Sequence, residues 1–275
     1  MSALAAPNLA VPPSNDLGAL LRHWRSMRGQ SQLSLSGDTG VSQRHISFIE
    51  SGRSIPSRQT LLHLATALDV PLRERNTLLL AAGYAPIYSD NGLSSPEMRS
   101  VTAALERMLR QHEPFPAVVM DRYWNVLLAN TAVARFFGHF VDLAARPGPR
   151  NLLHLMFDPA GMRPFLANWN ELARSLLERV RRESVGRAAD GETRKLVATL
   201  LAYPDVDAAW RATTISGVTP VIPIGFVKDG SVLNLFSMVT TVGTPQTIAA
   251  QELRVECMFP ADEATELAYA RLVSA

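Results

Sequence analysis

The sequence predicts an α + α/β protein of two unlike domains: an N-terminal bundle of five short helices, then a domain built on an antiparallel five-stranded sheet with helices over one face. Three observations carry that prediction. At 275 residues the chain exceeds one ordinary domain. Its apolar residues recur with a helical period from Asp16 to about Gly83 and switch to a period of two after Pro114 and Pro116. Charge divides as well: of 27 basic and 25 acidic residues, eight arginines and five acids fall within 16–85, a local excess of +3, leaving 19 and 20 for the rest.

Leu17, Leu20, Leu21 and Trp24 recur at spacings of three and four, so a first helix runs from Asp16 and stops at Gly29. Ser31 caps a second helix through Asp38. Its stretch QLSLSGDT is a weak helix former, because Ser36 and Gly37 each lower helix propensity by roughly 0.5 to 1 kcal/mol. Gly40 takes the left-handed conformation that turns the chain, and Ser42 caps a third helix to about Ser51. That helix buries Ile46 and Ile49 and leaves Gln43, Arg44, Ser47 and Phe48 facing outward. After Pro56, Ser57 caps a fourth helix with Leu61, Leu62, Leu64, Ala65 and Leu68 inward, and a fifth runs from about Leu72 to Ala82, ending at Gly83.

A helix that only covers a core has no use for forked donors at its start. Arginine and glutamine match the guanine and adenine edges of the DNA major groove with paired hydrogen bonds, so Gln43 and Arg44 point to a base reader. The competing reading is an all-helical interaction module with a polar exposed face. His45 suits a phosphate or solvent contact better than a base edge, Trp24 suits the core, and Arg22, Arg25 and Arg28 also fit a solvated helical face. The run from Leu17 to Pro86, above all SQRHISFIESGRSIPS, closely resembles the helix-turn-helix domain of the Xre family. The resemblance implies that Gln32, Gln43 and Arg44 face double-stranded DNA and that Arg53 lies near a phosphate. With Ser42, His45, Ser47 and Phe48 these form the expected DNA-binding set. One reader of this size touches few base pairs, so a homodimer on a two-fold-related site is expected.

YSDNGLSSPEM, from Tyr88 to Met98, is rich in turn formers, and a helix follows from Glu97 to Gln111. Residues 87–111 therefore form a linker and connecting helix between the reader, 16–86, and a second domain, 112–275. AVVMD and NVLLA, separated by Arg122, Tyr123 and Trp124, form a hairpin that feeds a helix near Asn130. Residues 151–210 are helical in pattern, with LANWNELARSLLERVRRE the clearest amphipathic run, and VIPIGFV, VLNLFSMVTT and ELRVECMFP supply three more strands. This order resembles a PAS-like sensor domain. On PFPAVVMDRYWNVLLAN, FSMVTTVGTPQ and ECMFPADE, residues 112–263 also resemble the ligand-binding domain of MmyB-like transcription regulators. The resemblance implies a small hydrophobic, fatty-acid-like ligand. Trp124, Trp169, Phe236, Met238 and Phe259 are the apolar candidates to line its pocket, with Arg122, Asn130, Arg163 and Asn168 as polar groups to orient a head group. The same apolar residues also fit a plain core, in which case the domain is a ligand-free dimerisation or protein-interaction module.

Other classes find little support. The chain has no Gly-rich phosphate loop and no metal-spaced pair among its six histidines, and Asp205 and Asp207 fit helix caps, so neither an enzyme nor a cofactor is expected. A single cysteine, Cys257, excludes an intramolecular disulfide and fits a buried small hydrophobe in a reducing compartment. No apolar run reaches the roughly 18 residues that span a bilayer. The first fifteen residues, broken by Pro7, Pro12 and Pro13 and lacking a basic start, fit a disordered leader better than a signal peptide. The expectation is a cytoplasmic transcription regulator with no membrane partner.

Overall fold

The computed structural model describes residues 16–146, 150–184, 191–206, 221 and 223–274. The expected leader at 1–15, the end of the helical middle at 207–210, and Asp207 with it, lie outside the described residues. The chain divides into two compact units, one holding the chain up to Asp90 and the other most of the chain beyond it.

The first unit contains α1 (Leu17–Met27), α2 (Gln32–Thr39), α3 (Gln43–Glu50), α4 (Arg58–Ala67) and α5 (Leu72–Ala81). Asp16, Ser31, Ser42 and Ser57 each accept the backbone N–H three residues on, so the first four helices start on their expected caps. Gly40 sits at φ 67, the left-handed turn before α3. One core joins Leu20, Leu21, Trp24, Leu35, Ile46, Ile49, Leu61, Leu64 and Leu68. The weak helix α2 contributes one fully buried side chain, Leu35. Leu62, expected inward, is only half-buried.

Glu50 closes α3 and is buried among polar partners. Arg25 donates to both of its carboxylate oxygens, at 2.6 and 2.9 Å, Gln32 Nε2 donates at 2.8 Å, and Arg22 donates to its carbonyl at 2.6 Å. Arg28 donates to the Leu68 and Asp69 carbonyls. Arg22 and Arg25 of α1 and Arg28 at its C-cap are thus ties across the bundle.

The second unit is built on a five-stranded antiparallel sheet in the order β2-β1-β5-β4-β3. Its strands are β1 (Ala117–Met120), β2 (Val126–Ala129), β3 (Ile224–Lys228), β4 (Ser231–Thr240) and β5 (Arg254–Pro260). On one face lies the expected helical layer, drawn from α7 (Thr131–Gly138), α8 (Leu152–Phe157), α9 (Trp169–Ser184), α10 (Gly191–Leu201) and α12 (Glu263–Ser274). Val118, Met120, Phe226, Leu233, Leu235 and Met258 meet Phe136, Phe157 and Leu177 there. Their neighbours Ala117, Val119 and Val255 point to the opposite face and pack with Leu105 and Leu109 of α6 (Arg99–Gln111) and Ala250 of α11 (Ile248–Glu252). α6, expected as a connector, is therefore a cover for the second face of β1 and β5. Burial on both faces explains why AVVM shows no alternation. Among the described residues no helix is long and apolar enough to cross a membrane.

Candidate functional site

In the first unit, Ile46 and Ile49 are fully buried and fix the roll of α3. The helical period then leaves Gln43 and Arg44 exposed on its first turn and Ser47 and Phe48 half-buried on the next. Ser42, exposed, caps the helix through the N–H of His45, whose ring is half-buried. Arg53 lies exposed in the turn after α3. The Arg44 guanidinium carbon lies 5.2 Å from the Phe48 ring centroid, and that of Arg53 lies 5.4 Å from the same ring. The expected set is thereby gathered on α2, α3 and the turn after it. Gln32, half-buried at the start of α2, donates its amide N–H to Glu50.

Burial drives the Glu50 carboxyl up, but the donors of Arg25 and Gln32 and the charges of Arg25 and Arg22 outweigh it and hold it below the ordinary carboxylate range. This hub also redraws the charge map. Arg22, Arg25 and Arg28 bond to groups of the bundle, Arg22 and Arg28 from exposed positions, Arg73 pairs with Asp90, and Arg75 donates to the Val70 carbonyl. Exposed Arg44, Arg53 and Arg58 also stack on rings, the last at 5.4 Å from Tyr84. Arg58 opens α4 and no spacing in the sequence singles it out.

In the second unit the expected ligand set is scattered. Trp124 and Trp169 both join the helical core. The side chain of Arg122 is shielded, pairs with Glu252 at 3.2 Å and stacks on Tyr123. Arg163 pairs with Asp205 at 2.8 Å and lies 4.8 Å from the Trp169 ring centroid. Asn130 accepts from the Ala117 N–H and donates to the Leu109 and Phe115 carbonyls. Asn168 donates to the Pro223 carbonyl and accepts from the Gly225 N–H. Both amides are engaged at both ends by backbone, so they pin β1 and β3 instead of orienting a head group. Phe236, Met238 and Phe259 are corrected more sharply. Leu235 and Met258 face the helical core, and alternation sends Phe236, Met238 and Phe259 to the other side of the sheet. There Phe236 stacks on its register partner Phe259 at 5.7 Å, and Met238 is 59% exposed. The sheet itself separates them from Trp124 and Trp169.

A charged group passed over in the sequence lies under α9. Arg179 donates to Glu183 at 3.0 Å and to Glu256 at 3.1 Å, Arg254 pairs with Glu183, and the Arg179 guanidinium carbon rests 4.3 Å from the Trp124 ring centroid. Burial works against the charge of Arg179, but the Glu256 and Glu183 carboxylates outweigh it and keep its pKa raised. Trp124 is held at φ 68, an uncommon backbone for a bulky residue. The available signals are Arg179 and Glu183 four apart and Arg254 and Glu256 two apart, patterns that also fit a solvated face.

Residues 101–272 match the family described as MmyB-like transcription regulator ligand binding domain, and residues 16–78 match a helix-turn-helix domain. No curated protein matches the chain at a significant level.

Proposed function

The chain belongs to the family of MmyB-like transcription regulator ligand-binding domains, with a DNA-binding helix-turn-helix domain ahead of it, and from that premise we propose how the two halves work. The first half reads double-stranded DNA with α3 in the major groove. Gln43 and Arg44 contact base edges, with Ser47 beside them, while Ser42, His45 and Arg53 contact the phosphate backbone. The observation that carries this reading is the exposed Gln43–Arg44 face of a helix whose roll is locked by Ile46 and Ile49. The protein acts as a homodimer in the cytoplasm, as a non-enzymatic regulator. Selection of the full-length protein against a random-sequence duplex library tests it. A consensus with two related half-sites is expected, and a pool that stays random contradicts it. Arg53→Ala should weaken binding to the selected duplex and to random DNA alike and flatten the salt dependence by about one unit.

The second half senses a small hydrophobic ligand of fatty-acid type. Supporting this reading, the indole N–H groups of Trp124 and Trp169 are buried in the apolar core with no hydrogen-bond partner among the described residues, which suits a ligand that brings an acceptor at one end. A tenfold change in DNA affinity on binding corresponds to a coupling of about 1.4 kcal/mol. The rival, a ligand-free dimerisation module, is favoured by the exposed Met238 beside Phe236 and Phe259. Denaturing extraction of the purified protein and mass spectrometry of the extract separate the two. A copurifying long-chain acid supports the sensor. An empty extract, with DNA affinity indifferent to added long-chain acids, supports the module.

A further inference from the structure

Phe48 stands where two arginines converge. Arg44 precedes it by four residues, so the helical period places both on one face of α3. Arg53 comes from beyond the helix end, and the way α3 stops is what returns it. Gly52 sits at φ 72, its N–H donates to the Ile49 carbonyl at 3.0 Å, and the Arg53 N–H donates to the Phe48 carbonyl at 2.8 Å. These are the paired bonds of a Schellman stop. The Arg53 backbone is thus fixed to the carbonyl of the same residue whose ring its guanidinium faces.

The chemistry of that seat matters. A carboxylate partner would occupy the N–H fork of an arginine, whereas the face of a ring attracts the cation and leaves the fork open for a base edge or a phosphate. The carboxylate of Glu50, on the same helix, is buried and already bound by Arg25 and Gln32. Both guanidinium carbons lie within 5.4 Å of the one ring centroid, so the attraction of a single ring acts on both charges.

We propose that Phe48 is a positioning residue for DNA recognition: its ring holds Arg44 and Arg53 in their binding conformations before DNA arrives, and so couples base readout to backbone anchoring. The inference rests on α3 being the recognition helix. It requires no contact between Phe48 and a base.

The test uses the full-length protein and the duplex that the wild type selects from a random library. Phe48→Leu keeps apolar bulk and removes the ring, and Phe48→Tyr keeps the ring. Each contact at an exposed site is a modest one, so loss of both should weaken binding by about tenfold in the Leu variant, with the Tyr variant within about twofold of wild type. In the free protein, the Nε–H resonances of Arg44 and Arg53 should carry a ring-current shift in wild type and Tyr, and lose it in Leu. If Leu destabilises the helix, Phe48→Met supplies the same comparison. A folded Leu or Met variant that binds like wild type, while Arg44→Ala and Arg53→Ala bind weakly, overturns the positioning role alone. Arginine variants that themselves bind like wild type overturn the recognition-helix reading. A Tyr variant as weak as Leu, with both arginine resonances still ring-shifted, also overturns the proposal, because Phe48 would then act by touching DNA.

Discussion

Arginine serves opposite ends on the α3 face and under α9. On α3 and in the turn after it, Arg44 and Arg53 are exposed and rest on one ring, with no carboxylate partner among the described residues. Under α9, Arg179 also rests on a ring, that of Trp124, but its donors are taken by Glu183 and Glu256, and Arg254 closes the group. The same side chain on the same kind of seat is available to a partner in one place and locked into the fold in the other. What differs is whether a carboxylate shares the site. The first unit holds both arrangements, since Arg25 and Glu50 repeat the buried pattern a short distance along the sequence from Arg44. Locked arginines should therefore govern stability, and open ones should govern binding.

The largest effect is expected under α9. Glu256→Ala removes one of the two carboxylates bound to Arg179 in a buried setting. Breaking such a group costs about 3 kcal/mol, which should appear as an earlier urea transition of the second unit, monitored by tryptophan fluorescence because Trp124 lies against Arg179. A variant as stable as wild type would show that the group is dispensable. A smaller loss, about 2 kcal/mol, is expected for Arg25→Ala, because Gln32 and Arg22 still touch Glu50. This pair also sets an acid limit. The folded-state pKa of Glu50 lies below its unfolded value, so its contribution is present above the unfolded pKa, near about 4.3, and is lost as pH falls through the folded one. Melting of the first unit, measured below about pH 4, should show a steep decline that Glu50→Gln flattens. An equal decline in that variant would place the acid sensitivity elsewhere.

How far these features could be read from the sequence depends on how local their causes are. The exposure of Gln43 and Arg44 follows from Ile46 and Ile49 on the same short helix, and the starts of α1 to α4 follow from cap residues that act three positions away. The Glu50 hub was not legible, because its partners Arg25 and Gln32 are 25 and 18 residues distant and arginines spaced along and just past one helix also fit a solvated face. In the second unit, alternation told which strand residues share a face but not which face the main helical layer would cover. Leu235 and Phe236 are equally apolar, and only the packing of the helices sends one into the core and the other to the far side. Asn130 and Asn168 failed as ligand groups for a related reason. Their partners are backbone atoms that only the folded chain brings within reach.

The most direct test of the distinction between open and locked arginines is the affinity of Arg44→Ala for two duplexes, the one selected by the wild type and one of random sequence, at a fixed salt concentration. Arg44 is exposed on α3 and rests on the Phe48 ring. The account predicts unchanged melting, a loss of about tenfold on the selected duplex and a much smaller loss on the random one. Equal losses on the two duplexes, or a loss accounted for by lower stability, would contradict it.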